Sequence, residues 1–245
     1  MTTDTFSVQQ SIPRPVLHEQ VAQRLRQMLV EGLIPPGGKL NERTLCEELS
    51  ISRTPLREAI KMLAAEGLVE LLPNRGSVAV QLSEADVRHT FEVMAGLEGL
   101  SGELAAQRVT EAELNEIKAL HYEMLAAYTR RDLSVYYQIN AAIHRRVNAA
   151  AKNPVLTATY NQVNARLQAL RFRSNQDGDK WQRAVDEHIA MVQALEARDG
   201  AALRQVLMQH LDNKRSVVIE QLRSASIAAI TDNNASPSLT EGHAP

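Results

Sequence analysis

Three histidines carry the chemistry this chain is best equipped to do. His144, His188 and His210 each fall on a helical face that is otherwise apolar. His144 comes one turn after Asn140 and shortly before Val147; His188 lies among Val185, Met191 and Val192; His210 lies among Leu203, Val206 and Leu207. An inward imidazole needs a polar partner. One such histidine is usually a satisfied core residue, but three on three separate helices call for a shared solution. A divalent ion satisfies all three rings at once, with the amide oxygen of Asn140 as a further ligand. Zinc is the expected ion, with nickel and manganese as alternatives. Three neutral imidazoles and an amide leave the ion's double charge uncompensated, so the site should attract an anion. A small carboxylate that completes the shell and acts as effector is the expectation.

A second group of residues has a different chemistry. In Ser52-Arg53-Thr54-Pro55-Leu56-Arg57-Glu58-Ala59-Ile60, Thr54 reads as a helix N-cap and Pro55 as the first helical residue. Leu56, Ala59, Ile60 and Leu63 make one apolar face. Arg57 and Lys61 lie on another, with Arg53 at the entrance. Guanidinium groups at a helix start can fork onto guanine edges or clamp phosphates, and the helix N-terminus itself favours anions. An ordinary amphipathic helix with a solvated basic face would look similar, so the surroundings must decide. Bulk charge does not: the formal net charge is −2, and nine basic residues face eight acidic ones between Ile12 and Leu82. Any DNA reading rests on where the arginines sit.

The elements that position these groups are mostly helical. Glycine and proline are sparse in the 245 residues, and the periodicity is that of helices. Residues 1–14 read as a flexible arm. A first helix spans about Leu17 to Glu31, closed by Gly32 and the turn Pro35-Pro36-Gly37-Gly38. Asn41 caps a second, short helix, with Leu40 and Leu45 as a hydrophobic staple. After the Ser52 segment, residues 68–71 and 77–80 read as strands around a Pro73-Asn74-Arg75-Gly76 turn. Three helices and a hairpin with an arginine at its tip describe a winged helix-turn-helix, residues 15–82, whose third helix enters the major groove while the wing touches the backbone or minor groove. From Ser83 onward six helices follow, starting near Ser83, Thr110, Asp132, Asn153-Pro154, Lys180 and Gly200, and form an antiparallel bundle over 83–228. Residues 229–245 read as a disordered tail. The fold class is therefore mainly α.

Here a resemblance becomes specific. Leu33-Ile34-Pro35-Pro36-Gly37-Gly38-Lys39-Leu40-Asn41-Glu42, followed by Ser52-Arg53-Thr54-Pro55-Leu56-Arg57-Glu58-Ala59 and Glu66-Gly67-Leu68-Val69, resembles the DNA-binding domain of GntR-family bacterial regulators. That resemblance implies DNA contacts at Arg43, Arg53, Thr54, Arg57 and the Asn74-Arg75-Gly76 wing tip. The Asn140-x-x-x-His144 spacing, with His188 and His210 downstream, resembles the metal site of the FCD effector domain of the FadR-like branch. It implies Asn140, His144, His188 and His210 as ligands. FCD pockets usually add an arginine in a Glu-x-Arg context; here Glu92-Val93 is followed by Met94. Arg166, Arg171 or Arg173 are the candidate substitutes in the effector site. The remaining histidines, His18, His89, His121 and His243, receive no role.

The implied protein is a transcriptional regulator, a repressor released by its effector, acting as a homodimer on a pseudo-palindromic duplex operator. It is not expected to be an enzyme. A rival reading is a metal-dependent enzyme fused to a DNA-binding head, with Asp186 or Glu187 beside His188 as general base; helical spacing turns both carboxylates off the His188 face. A DNA-binding architectural protein with a purely dimerising bundle is a third. One cysteine, Cys46, permits no intrachain disulfide. With no membrane-length apolar run and no signal pattern, the expected compartment is the cytoplasm.

Overall fold

A computed structural model of the chain describes residues 17–173 and 178–234, with side chains described except at 168–173, 178–180 and 225–234. The fold divides between Val80 and Gln81 into two compact units.

The first unit contains α1 (Leu17–Glu31), β1 (Lys39–Leu40), α2 (Glu42–Leu49), α3 (Arg53–Ala65), β2 (Val69–Leu72) and β3 (Gly76–Ala79). Its core is the apolar faces of the three helices, with Leu25, Leu56, Ala59 and Leu63 fully enclosed. Asn41 caps α2, its side-chain oxygen accepting from the N–H groups of Arg43 and Thr44. Leu40 and Leu45, on either side of that cap, are both buried. The cap of α3 differs from the sequence expectation. Ser52, not Thr54, is the boundary residue, and its hydroxyl makes no capping bond. Helix formation therefore begins at Arg53, and Pro55 occupies the third position, where its missing N–H is still one of the unpaired donors of the first turn. Arg26 of α1 forks onto Glu66 at the end of α3, at 3.0 and 2.7 Å, tying the third helix to the scaffold.

The hairpin pairs Val69 with Ala79 and Leu72 with Gly76, and β1 adds antiparallel to β3 in the sheet order β1-β3-β2. The two-residue β1 carries no periodicity in sequence and exists only through its pairing. At the wing tip Asn74 (φ 59°) and Gly76 (φ 85°) both adopt left-handed backbone, which asparagine and glycine tolerate best.

The second unit is all helix: α4 (Glu84–Arg108), α5 (Glu111–Thr129), α6 (Leu133–Ala150), α7 (Pro154–Arg173), α8 (Gly178–Glu196) and α9 (Gly200–Asn234). Ser83 with Asp86 and Thr110 with Glu113 form reciprocal capping boxes that start α4 and α5. Helices α4 and α9 pack closely along their length because Gly99 and Gly102 leave room. A Cβ on Gly102 would lie 2.5 Å from Leu207 Cδ1 and 2.9 Å from Leu203 Cγ. One apolar cluster joins α5, α6, α8 and α9; a second, around Phe91, Met94, Tyr160 and Leu211, joins α4, α7 and α9. Helix α9 continues to Asn234, past the end near residue 225 that composition implied and into the segment read as a tail; residues 235–245 lie outside the described residues. No described helix is long and apolar enough to cross a membrane.

Candidate metal centre and DNA-reading surface

The second unit brings His144 of α6, His188 of α8 and His210 of α9 to one point. All three are buried, and one nitrogen from each lies within 4.8 Å of the others. The ring centroids form a near-equilateral triangle of 5.1, 5.2 and 5.3 Å. Asn140, one turn before His144, places its amide Nδ2 2.8 Å from His188 Nε2.

The surrounding contacts select one tautomer for each ring. Glu187 Oε2 lies 2.6 Å from His210 Nδ1, so the proton sits on that nitrogen and Nε2 is bare. Glu98, on α4 and 2% exposed, places Oε2 2.7 Å from His144 Nδ1. That pair is a close charge contact rather than an aligned hydrogen bond, and it too favours a proton on Nδ1. The Asn140 amide donates to His188 Nε2, leaving the proton on His188 Nδ1, which has no partner among the described residues. Burial, reinforced by the neighbouring His144 and His210, holds the pKa of His188 well below its ordinary value. Burial likewise lowers His210 to about 4, against the opposing pull of Glu187. Burial alone would raise Glu187, but bonds from His210 and Asn213 outweigh it and keep its pKa low.

These residues fit a divalent ion. Neutral imidazoles with bare Nε2 atoms are what a metal requires, and carboxylates behind His144 and His210 are the usual outer partners of ligating histidines. For Asn140 to join as an oxygen ligand its amide must turn over, exchanging Nδ2 for Oδ1 at the same place.

The other predicted site residues are distributed as follows. Arg43, Arg53, Thr54, Arg57, Asn74, Arg75 and Gly76 are all exposed in the first unit. Two of these arginines are held from the side: Arg57 Nε bonds Glu42 Oε2 at 2.9 Å, and Arg43 Nε bonds Glu47 Oε1 at 3.1 Å. Arg166 is exposed on α7, and the side chains of Arg171 and Arg173 lie outside the described residues. Met94 is enclosed in an apolar cluster.

Several residues of the centre escaped the sequence reading. Glu98 and Lys214 each interrupt an apolar stripe, Phe91-Met94-Glu98-Ala105 on α4 and Leu203-Leu207-Lys214-Val218 on α9; a charge inside such a stripe was the available signal. Glu187 turns away from the His188 ligand atom, as spacing implies, and meets His210 instead. His121, given no role, is 5% exposed with Nδ1 unpartnered among the described residues, and its charge when protonated is felt at His188.

A winged helix-turn-helix and a separate helical unit with a buried histidine cluster define a two-unit class of DNA-binding protein. Comparison with known proteins agrees. Residues 17–78 match the bacterial regulatory proteins of the gntR family, and residues 89–213 match the FCD domain. The chain belongs to the GntR family of DNA-binding transcriptional regulators, in its FCD-containing, FadR-like branch. It is 27% identical over 223 residues to the HTH-type transcriptional repressor RspR of Escherichia coli K12, covering 91% of this chain and 96% of that protein. It is 26% identical over 204 residues to the gluconate operon transcriptional repressor of Bacillus subtilis, covering 81% and 84%. Among solved structures, E. coli McbR/YncC shares the fold with a TM-score of 0.77 at 20% identity, over 85% of this chain and all of that one. These relatives are regulators of transcription, not enzymes.

Proposed function

We propose that this regulator is a repressor whose operator affinity is set by a small carboxylate bound at a metal ion in the C-terminal bundle. The observation that carries the reading is the convergence of His144, His188 and His210, with Glu98 and Glu187 fixing two of the rings. The ion, zinc in this reading, is held by the three Nε2 atoms and the Asn140 amide, and it supplies a Lewis-acidic point for an anion. The protein's own part is to exclude water, keep the imidazoles neutral and place no carboxylate among the ligands themselves. The repressors among its relatives support the sign of regulation.

On the DNA side, a twofold homodimer presents two α3 helices to a pseudo-palindromic operator. Arg53, Thr54 and Arg57 are set to enter the major groove, with Arg43 beside them and the Asn74-Arg75-Gly76 tip on the backbone or minor groove. The effector shifts the balance between bundle arrangements that space the two heads differently. The deciding experiment is metal analysis of the full chain after dialysis, for wild type and His188→Ala, with operator binding measured alongside. Bound zinc in the wild type only, and release from the operator by a carboxylate only when zinc is present, is the expected result. Equal metal content in both proteins would refute the site.

A further inference from the structure

Beside the histidine centre, two buried side chains each hold a polar hydrogen that no group among the described residues accepts. They are Tyr136 of α6 and Trp181 of α8; neither the phenol oxygen nor the indole Nε1 makes a hydrogen bond there. Their rings pack edge to face at 5.1 Å and 80°, and Tyr128 closes on Trp181 at 5.0 Å and 87°, which fixes the direction of the indole N–H. Tyr136, Asn140 and His144 follow one another at one-turn intervals along α6, so the phenol lies beside Asn140 on the face that carries the metal ligands. Burial raises the Tyr136 pKa above its ordinary value, and Asn140 and then Trp181 pull it partly back. Groups that lower a phenol's pKa are donors to its oxygen. Both therefore present N–H groups to that oxygen, though without the alignment of a hydrogen bond. Donors meet there on every side, and no acceptor is left for the phenol's own proton.

The Asn140 amide decides this conflict. With Nδ2 2.8 Å from His188 Nε2, it donates to a bare imidazole nitrogen and turns an N–H to a phenol that has a proton to give. With the amide turned over, Oδ1 at the same place accepts from the Tyr136 hydroxyl, and the phenol oxygen is free to accept from Trp181 Nε1. Both orphaned groups are then satisfied. What opposes that orientation is the lone pair of His188 Nε2, and a cation between the two removes the opposition. We propose that Tyr136 and Trp181 are positioning residues of the metal centre, acting in series to hold the Asn140 amide with its oxygen toward the ion. The inference rests on the metal-centred reading above and adds to it the residues that orient the fourth ligand. It completes a pattern, since Glu98 stands behind His144 and Glu187 behind His210. An amide needs such a partner where a carboxylate would not, because only one of its two ends can ligate.

The test titrates zinc into the full chain in competition with a chromogenic chelator, for wild type, Tyr136→Phe, Asn140→Ala and the double variant. Tyr136→Phe should weaken zinc binding about tenfold or more, the usual cost of losing an outer partner. Once Asn140 is alanine, the same change should matter by less than about twofold. Trp181→Phe keeps an aromatic ring in place and should show a smaller loss in the same direction. The cobalt(II) absorption spectrum of Tyr136→Phe should move from that of wild type toward that of Asn140→Ala. Zinc affinity unchanged by Tyr136→Phe, or a loss that persists undiminished without Asn140, overturns the proposal. The metal-free melting temperature of Tyr136→Phe should not fall, since the hydroxyl it removes makes no bond; a fall of several degrees would show that the hydroxyl is already bonded and overturns the proposal too. A wild type that holds no zinc refutes the underlying metal reading instead, and zinc analysis before the titrations separates that failure from the others.

Discussion

Replacing His188 with leucine should stabilise the metal-free protein, or leave it unchanged, and destabilise the metal-loaded one relative to wild type. His188 is 0% exposed, and its Nδ1 has no partner among the described residues. An unsatisfied buried polar group costs about 1–3 kcal/mol, which leucine removes. Against this, the Asn140 amide loses its acceptor at 2.8 Å, returning about 1 kcal/mol. The net change without metal is a gain of roughly 0–2 kcal/mol. At a hundred times its dissociation constant, a metal that binds only the folded state adds about 2.7 kcal/mol, and the variant forgoes most of this. At about 2–4 °C per kcal/mol for a unit of this size, zinc should raise the wild-type transition by roughly 5–11 °C and the variant's hardly at all. Differential scanning calorimetry in chelator and in excess zinc reads both numbers on the transition of the helical unit. An equal zinc-induced shift in the two proteins would show that the metal binds elsewhere. A variant several degrees less stable than wild type in chelator would show that His188 already has a partner.

Other perturbations address other links. Arg57→Ala should weaken operator binding by about 1–3 kcal/mol if its guanidinium reads a base; fluorescence anisotropy with operator and scrambled duplexes would show an equal loss on both if it only clamps phosphate. Glu42→Gln removes the negative charge 2.9 Å from Arg57 Nε and should raise affinity for scrambled duplex while steepening its salt dependence; an unchanged salt slope would mean the pair does not persist in solution. Gly102→Ala drives a methyl into Leu203 and Leu207 and should cost about 1–3 kcal/mol in chemical denaturation; a neutral result would mean that α4 and α9 separate easily. Hydrogen bonds from Arg223 and then Arg88 lower the Glu84 pKa from 4.5 to about 2. Because the folded pKa is the lower one, this contribution to stability is full above pH 4.5 and is lost as pH falls through 2. Wild-type melting temperature should therefore fall more steeply than that of Glu84→Gln across that window, and parallel curves would exclude the Arg223–Glu84 tie between α9 and α4.

Much of the architecture was legible in the residues because local rules and global fold agree. Asn41, Ser83, Thr110 and Asp132 each cap a helix where hydroxyl, carboxylate or amide chemistry places a start, and Gly76 marks the turn that needs left-handed backbone. The start of α3 was misplaced by two residues, because Thr54 and Ser52 are both acceptable caps and only the approach of the chain from α2 selects between them. Strand β1 could not be read at all, since two residues have no period. The end of α9 ran past the compositional boundary, a reminder that polar sequence and helical backbone are compatible.

The histidine centre divides in the same way. Which rings face inward followed from helical spacing, because every Cβ direction is set by position along the helix. That three inward faces meet at one point is a property of how α6, α8 and α9 cross, which no single segment encodes. The carboxylates behind the rings make the same case: Glu98 lies 46 positions before His144, and Glu187 serves His210 rather than its neighbour His188. A charge set within an apolar stripe announces that it must be compensated; only the packing of the other helices names the group it meets, as Glu98 of α4 beside His144 of α6 illustrates.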